Sequence, residues 1–106
     1  VVSQVMPYPF APLNALTNEF LAAAGSARPK VQPNYSSIEG YIAGRVLLEG
    51  LRRTGSVTTP ETLIAGLESM QNFDLGGFVV DFGPRKRVGS SYVDLTILDG
   101  TGRVRR

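Results

Sequence analysis

The chain has 106 residues, 42% of them hydrophobic and 19% charged, with a formal charge of +2; that is one domain's worth of folding sequence and not a disordered chain. It has no Cys and no His, which removes disulfides, thiolate and imidazole metal sites, thiol nucleophiles, Ser–His–Asp catalysis and a histidine pH switch. No apolar run is long enough for a signal peptide or a transmembrane helix, and the start at Val1-Val2-Ser3 reads as a piece of a longer chain.

Val1 to Met6 is a short apolar run stopped by Pro7-Tyr8-Pro9, which predicts a strand over residues 2–6 and then a turn. Pro12 opens a helix over 12–24. Leu13, Leu16, Phe20, Leu21 and Ala24 form its apolar stripe, and Gly25 stands where a terminating glycine belongs. Ser26 to Asn34 is a loop.

Ser36-Ser37-Ile38-Glu39 has the form of a capping box, with Ser36 as the cap and Glu39 reaching back to it. The helix it starts spans 36–54, with Ile38, Tyr41, Ile42, Val46, Leu48 and Leu51 on a broad apolar face. Gly40, Gly44 and Gly50 each cost it about 1 kcal/mol relative to Ala, and close approach of another element is the expected compensation. Arg52-Arg53 suits the negative end of the helix, and Gly55 stops it. Thr59-Pro60-Glu61 starts a third helix over 60–70, with Leu63, Ile64, Leu67 and Met70 as its buried stripe. Leu75-Gly76-Gly77 ends the helical half.

Two strands follow, over 78–82 and 92–98. Phe78, Val80 and Phe82 form the apolar face of the first; Val93, Leu95 and Ile97 form that of the second. Between them lies a basic loop, Gly83 to Ser91. Asp99-Gly100-Thr101-Gly102 is a turn, and Val104 starts a last short strand.

Chemistry-bearing clusters are few. Asp81 and Asp94 fall on the polar phase of strands and Asp99 on a turn, so solvation accounts for them without a metal or an acid–base pair. The basic loop has glycines and cations but no helix to lend its dipole to a phosphate. Arg85 to Arg87 and the arginines from Arg103 to Arg106 could make a small basic domain that binds nucleic acid or an anionic partner, although aromatic interleaving is missing. Tyr35, at the loop-to-helix junction, fits either a hydrophobic staple or a pocket wall. The hydroxyls of Ser36 and Ser37 and the free amides beside them could receive a carboxylate, and Glu39 is a lesser ligand candidate because capping accounts for it.

The strings Tyr35-Ser36-Ser37-Ile38-Glu39-Gly40-Tyr41-Ile42-Ala43-Gly44-Arg45 and Leu48-Glu49-Gly50-Leu51-Arg52-Arg53-Thr54-Gly55 resemble the C-terminal third of periplasmic substrate-binding proteins of the leucine/isoleucine/valine-binding type. Thr59-Pro60-Glu61, Asn72-Phe73-Asp74-Leu75-Gly76-Gly77, Phe82-Gly83-Pro84, Gly89-Ser90-Ser91-Tyr92 and Gln4-Val5-Met6-Pro7 do so as well, in the same order. The resemblance implies an α/β chain that is part of a Rossmann-like lobe, with three helices and three to four strands. It implies a hinge strand at 1–9, first-lobe helices and a strand at 10–82, and a hinge return with second-lobe strands at 83–106. It further implies a non-enzymatic, periplasmic, exported protein without a cofactor. Such a protein takes a small amino-acid-like ligand between two lobes and hands it to a membrane ABC transporter permease, with no part for nucleic acid. Of the pocket, Tyr35, Ser36, Ser37 and Glu39 are the residues this chain would supply. The apolar strand faces lack partners, so association with a second chain is expected.

Overall fold

The computed structural model describes residues 1–106. In chain order the elements are β1 (Val2–Gln4), α1 (Ala15–Ser26), α2 (Tyr35–Arg52), α3 (Pro60–Glu68), β2 (Phe73–Asp74), β3 (Val79–Val80), β4 (Asp94–Leu98) and β5 (Val104–Arg105). The three helices and the late strands fall where the periodicity places them. The strands are shorter than the apolar runs, and β2 is an addition inside what reads as the end of the helical half.

Each helix begins on the same reciprocal device. Asn14 caps α1, Asn34 caps α2 and Thr59 caps α3, and each cap side chain accepts from the backbone amide three residues on. The hydroxyl at that third position (Thr17, Ser37, Thr62) accepts the cap residue's own amide in return. This overturns the expected Ser36–Glu39 box: a hydroxyl on Ser37 performs the return bond, so Glu39 is free of the cap and exposed. Asn14 likewise displaces Pro12 as the start of α1. Gly25 lies inside α1, which ends at Ala27 in an extended conformation.

The helices and the β2–β3 hairpin form one body. Leu16, Phe20, Ile38, Ile42, Met70, Leu75, Phe78 and Val80 make its buried core. Gly76 and Gly77 close the hairpin with φ of 105° and 112°, a conformation that side chains resist. Asp74 accepts both their amides. The turn docks on the start of α1, where the Leu16 amide donates to the Gly76 carbonyl at 3.0 Å. A Cβ on Gly77 would meet the Asn14 side chain at 2.3 Å.

Of the helical glycines, close approach compensates only Gly50 and its counterpart Gly66. A Cβ on Gly66 would stand 2.7 Å from the Gly50 carbonyl oxygen, and one on Gly50 would overlap Leu67. Arg53 fastens the same junction, donating to the Ser69 carbonyl at 3.0 Å and lying over the Phe73 ring. Gly40 and Gly44 have nothing within 4 Å of where a Cβ would be. With Leu47 and Leu51 they leave an open apolar face on α2.

The remaining strands form a separate antiparallel ribbon, ordered β1-β4-β5. Val2, Ser3 and Gln4 oppose Thr96, Leu95 and Asp94. The buried side of β4 is its polar phase: Thr96 is 2% exposed and donates to the Val2 carbonyl. Leu95 and Ile97, on the apolar face expected to lack a partner, are 62% and 51% exposed, and Val93 before them is also exposed. The two regions make an extended molecule, with a radius of gyration of 15.5 Å against about 13 Å for a compact chain of this length.

Candidate functional site

The expected site lies at the start of α2, and the cap determines what is available there. Asn34 consumes the amide of Ser37, at 2.8 Å, so the amides of Tyr35 and Ser36 are the donors the cap leaves over. Those two amides, at the positive end of an 18-residue helix, can hold a carboxylate, an interaction that contributes about 1 kcal/mol when exposed. The Ser36 side chain is exposed. The Ser37 hydroxyl is occupied, accepting from the Asn34 amide at 2.9 Å and donating to the Gln32 carbonyl at 2.8 Å.

Tyr35 belongs to an aromatic chain. Its ring meets Phe10 edge-on at 6.0 Å, and Phe10 meets Tyr8 at 5.2 Å. The Tyr35 hydroxyl is buried and has no hydrogen-bond partner. Burial pushes its phenol above the ordinary value, and the nearby charge of Asp94 adds to the shift. Tyr92 is raised by the same two causes in the same order, and its ring packs on Phe78 at 5.6 Å. Tyr8, Tyr35, Tyr92 and Asp94 therefore form a seam between the body and the ribbon. Only Tyr35 was singled out from sequence. The aromatic pair flanking Pro9 was the available signal for the rest.

The four expected residues do not converge on one recess. Ser37 borders an apolar recess with Phe20 and Tyr41. Glu39 stands at the rim of an apolar groove of about 190 Å³ floored by Ile42, Val46, Phe78 and Val80. A third recess, about 280 Å³ and mostly polar, lies beside Asn72, Asp81, Lys86, Ser91 and Tyr92.

The charged groups are largely spent on one another. Lys86 pairs with Asp81 at 2.9 Å, Arg87 with Glu68 at 2.9 Å, Arg105 with Asp99 at 2.9 Å and Arg106 with Asp94 at 3.0 Å. Lys86, with the Asn72 amide, holds the Asp81 carboxyl below its usual range. Thr101, Arg105 and the Arg103 amide do the same for Asp99. The three aspartates thus serve a loop, a strand end and a turn, and no three His, Cys, Asp or Glu residues gather where a metal could sit. Lys86, Arg87, Arg105 and Arg106 are thus folded onto acids, leaving Arg85 and Arg103 as the unpaired cations of the two basic segments, which counts against a continuous cationic surface for nucleic acid.

The sequence profile of the family described as periplasmic binding protein matches residues 1–102. The chain belongs to the periplasmic binding protein family. Solved structures of the family follow its backbone closely. It superposes on a substrate-binding periplasmic protein from Ralstonia solanacearum with a TM-score of 0.86 and 35% identity, over 98% of this chain and 30% of that one. An extracellular ligand-binding receptor from Verminephrobacter eiseniae gives 0.84 and 30% identity, over 98% and 30%. A possible leucine/isoleucine/valine-binding protein from Rhodopirellula baltica gives 0.79 and 27%, over 98% and 28%. No curated protein matches the chain. This periplasmic binding protein chain thus spans about three tenths of the length of the solved relatives. None of its helices is long and apolar enough to cross a membrane.

Proposed function

We propose that this chain is part of a periplasmic solute-binding protein that clamps a small amino-acid-like ligand between two lobes and delivers it to a membrane ABC permease. The work is binding and closure, without bond chemistry or a cofactor. In this reading residues 1–9 are a hinge strand, 10–82 belong to the first lobe, and 83–106 return through the hinge into the second lobe. The start of α2 faces the cleft, with Tyr35 as a wall, the Tyr35 and Ser36 amides toward the ligand carboxylate, and Ser37 and Glu39 beside them.

The observation that carries the reading is the pairing of β1 with β4. Residues 5–93 leave the ribbon and return to it through two adjacent strands, a geometry in which a body can swing against a second body on a narrow double connection. The open faces of α2 and of β4 support it, because each is an apolar surface awaiting a cover. Family membership supports binding as the activity.

The test is calorimetry on the full-length protein with L-leucine, L-phenylalanine and L-alanine, with small-angle scattering before and after. Micromolar binding of at least one, with a smaller radius of gyration in the complex, is the expected result. Absence of binding to all three, with an affinity for nucleic acid that falls steeply with salt, would replace this reading by the basic-domain one.

A further inference from the structure

The tip of the basic loop is fastened at its two ends and little between them. Gly83 donates its amide to the Lys86 carbonyl at 3.3 Å, and Lys86 returns its own amide to the Gly83 carbonyl at 3.1 Å. Further on, the Gly89 carbonyl accepts from the Asp81 amide at 2.8 Å. No backbone hydrogen bond holds Arg85, Arg87 or Val88, and Val88 is 74% exposed. Lys86 and Arg87 are paired with Asp81 and Glu68, yet both cationic side chains face solvent. Pairs of that kind contribute little to holding a segment in place, so the tip opens at a small fraction of the cost of unfolding the body. The apolar faces of α2 and β4 call for a cover, but a tip carrying three cations does not, because Lys and Arg are seldom buried.

The other basic residues are held more firmly. Arg28 precedes Pro29, and the amide after Lys30, that of Val31, donates to the Ala24 carbonyl at 3.1 Å. Arg45 and Arg52 lie within α2, and Arg53 caps it. Arg103 sits in the turn between β4 and β5, where its carbonyl accepts from the Asp99 amide at 2.9 Å.

We infer that this tip is a processing site for an endoprotease whose specificity pocket carries a carboxylate, and that Arg87–Val88 is the bond cut first. The Gly83–Lys86 exchange selects that bond. It engages the nitrogen of Arg85–Lys86 and the carbonyl of Lys86–Arg87, whereas neither end of Arg87–Val88 is engaged. Water adds across the bond: the Arg87 carbonyl carbon becomes a carboxylate, the Val88 nitrogen becomes an ammonium, and no other reactant is needed. The cut severs the return path from the body to the ribbon. It leaves β1 paired with β4, so the ribbon stays attached through β1. The inference does not rest on the clamp reading.

The experiment is limited digestion of the full-length protein with a trace of trypsin, with timed samples read by mass spectrometry. The first cut is expected after Arg87. The nicked protein should keep its size-exclusion volume and separate into two pieces only under denaturing conditions. Replacing the three cations together (Arg85→Ser, Lys86→Ser, Arg87→Ser) should slow the first tryptic cut at least about tenfold, because the remaining sites need a larger opening. The same variant should be digested by chymotrypsin at the parent's rate. A first cut in the parent at Lys30 or within α2 would overturn the inference, as would a triple variant cut by trypsin as fast as the parent. Equal slowing toward both proteases would also overturn it, since the tip's chemistry would then not be what trypsin reads. A parent that binds none of the amino-acid probes is expected to give the same cleavage map, so the two readings fail separately.

Discussion

The helical body and the three-stranded ribbon are both built from patterned apolar residues, and they end in opposite states. In the body the stripe of α1, the stripe of α2 and the alternate residues of the hairpin meet one another, giving the eight-residue core around Leu16 and Ile38. In the ribbon, Val93, Leu95 and Ile97 alternate as regularly but meet nothing, and Thr96 takes the covered position. Periodicity specifies that a segment has two faces. Which face is buried depends on a partner, and the body contains its own partner while the ribbon does not. Covering the three ribbon side chains would contribute roughly 3–5 kcal/mol, comparable with the whole stability of a small domain.

The sharpest way to break the comparison is to damage each side equally. Ile38 is fully buried, so Ile38→Ala should cost about 2–5 kcal/mol and abolish or greatly lower the cooperative urea transition of this chain. A small shift in midpoint would show that the body's core is not what holds it.

A second, smaller effect separates charge from packing within the body. Arg52 and Arg53 beside Glu49 lower its carboxyl from the usual 4.5 to about 2. A depressed carboxylate pKa contributes stability that is complete above the usual value and is lost as the pH falls from about 4.5 to 2. Glu49→Gln should therefore cost about 1 kcal/mol at pH 7 after solvent screening. The difference from the parent should vanish by about pH 2. A difference that persists unchanged in acid would assign the loss to packing.

The smallest effect is expected in the ribbon. Replacing Leu95 and Ile97 together by Ser should change the stability of this chain by less than about 0.5 kcal/mol while reducing its self-association in light scattering. In the full-length protein the same pair should cost several kcal/mol. Equal costs in both settings would mean that the rest of the protein does not cover this face.

The physical reasons for what could be read from sequence follow the same division. Leu16, Phe20, Ile38 and Ile42 repeat at helical spacing, and Thr59-Pro60-Glu61 is unambiguous start chemistry, so the helices were legible. The cap of α2 was displaced because a glutamate at the return position is a familiar signal, whereas here the Ser37 hydroxyl does that work after Asn34. Strand β2 was hidden because two residues, Phe73 and Asp74, carry no period; the Gly76-Gly77 turn was the only trace of the hairpin. At the candidate site, Tyr35 was visible as an aromatic beside a helix start. Its ring contact with Phe10 joins residues 25 positions apart in the chain, which local patterns do not encode.

The most direct test of the contrast is amide hydrogen exchange on residues 1–106 alone and on the full-length protein. In the short chain, the Ile42 amide should exchange only with unfolding of the body, while that of Ile97 exchanges at within about tenfold of an unstructured peptide. In the full-length protein, Ile97 should slow by several orders of magnitude and Ile42 by far less. A ribbon as well protected as the body in the short chain would contradict the account, because it would show that the ribbon needs nothing beyond these residues to be complete.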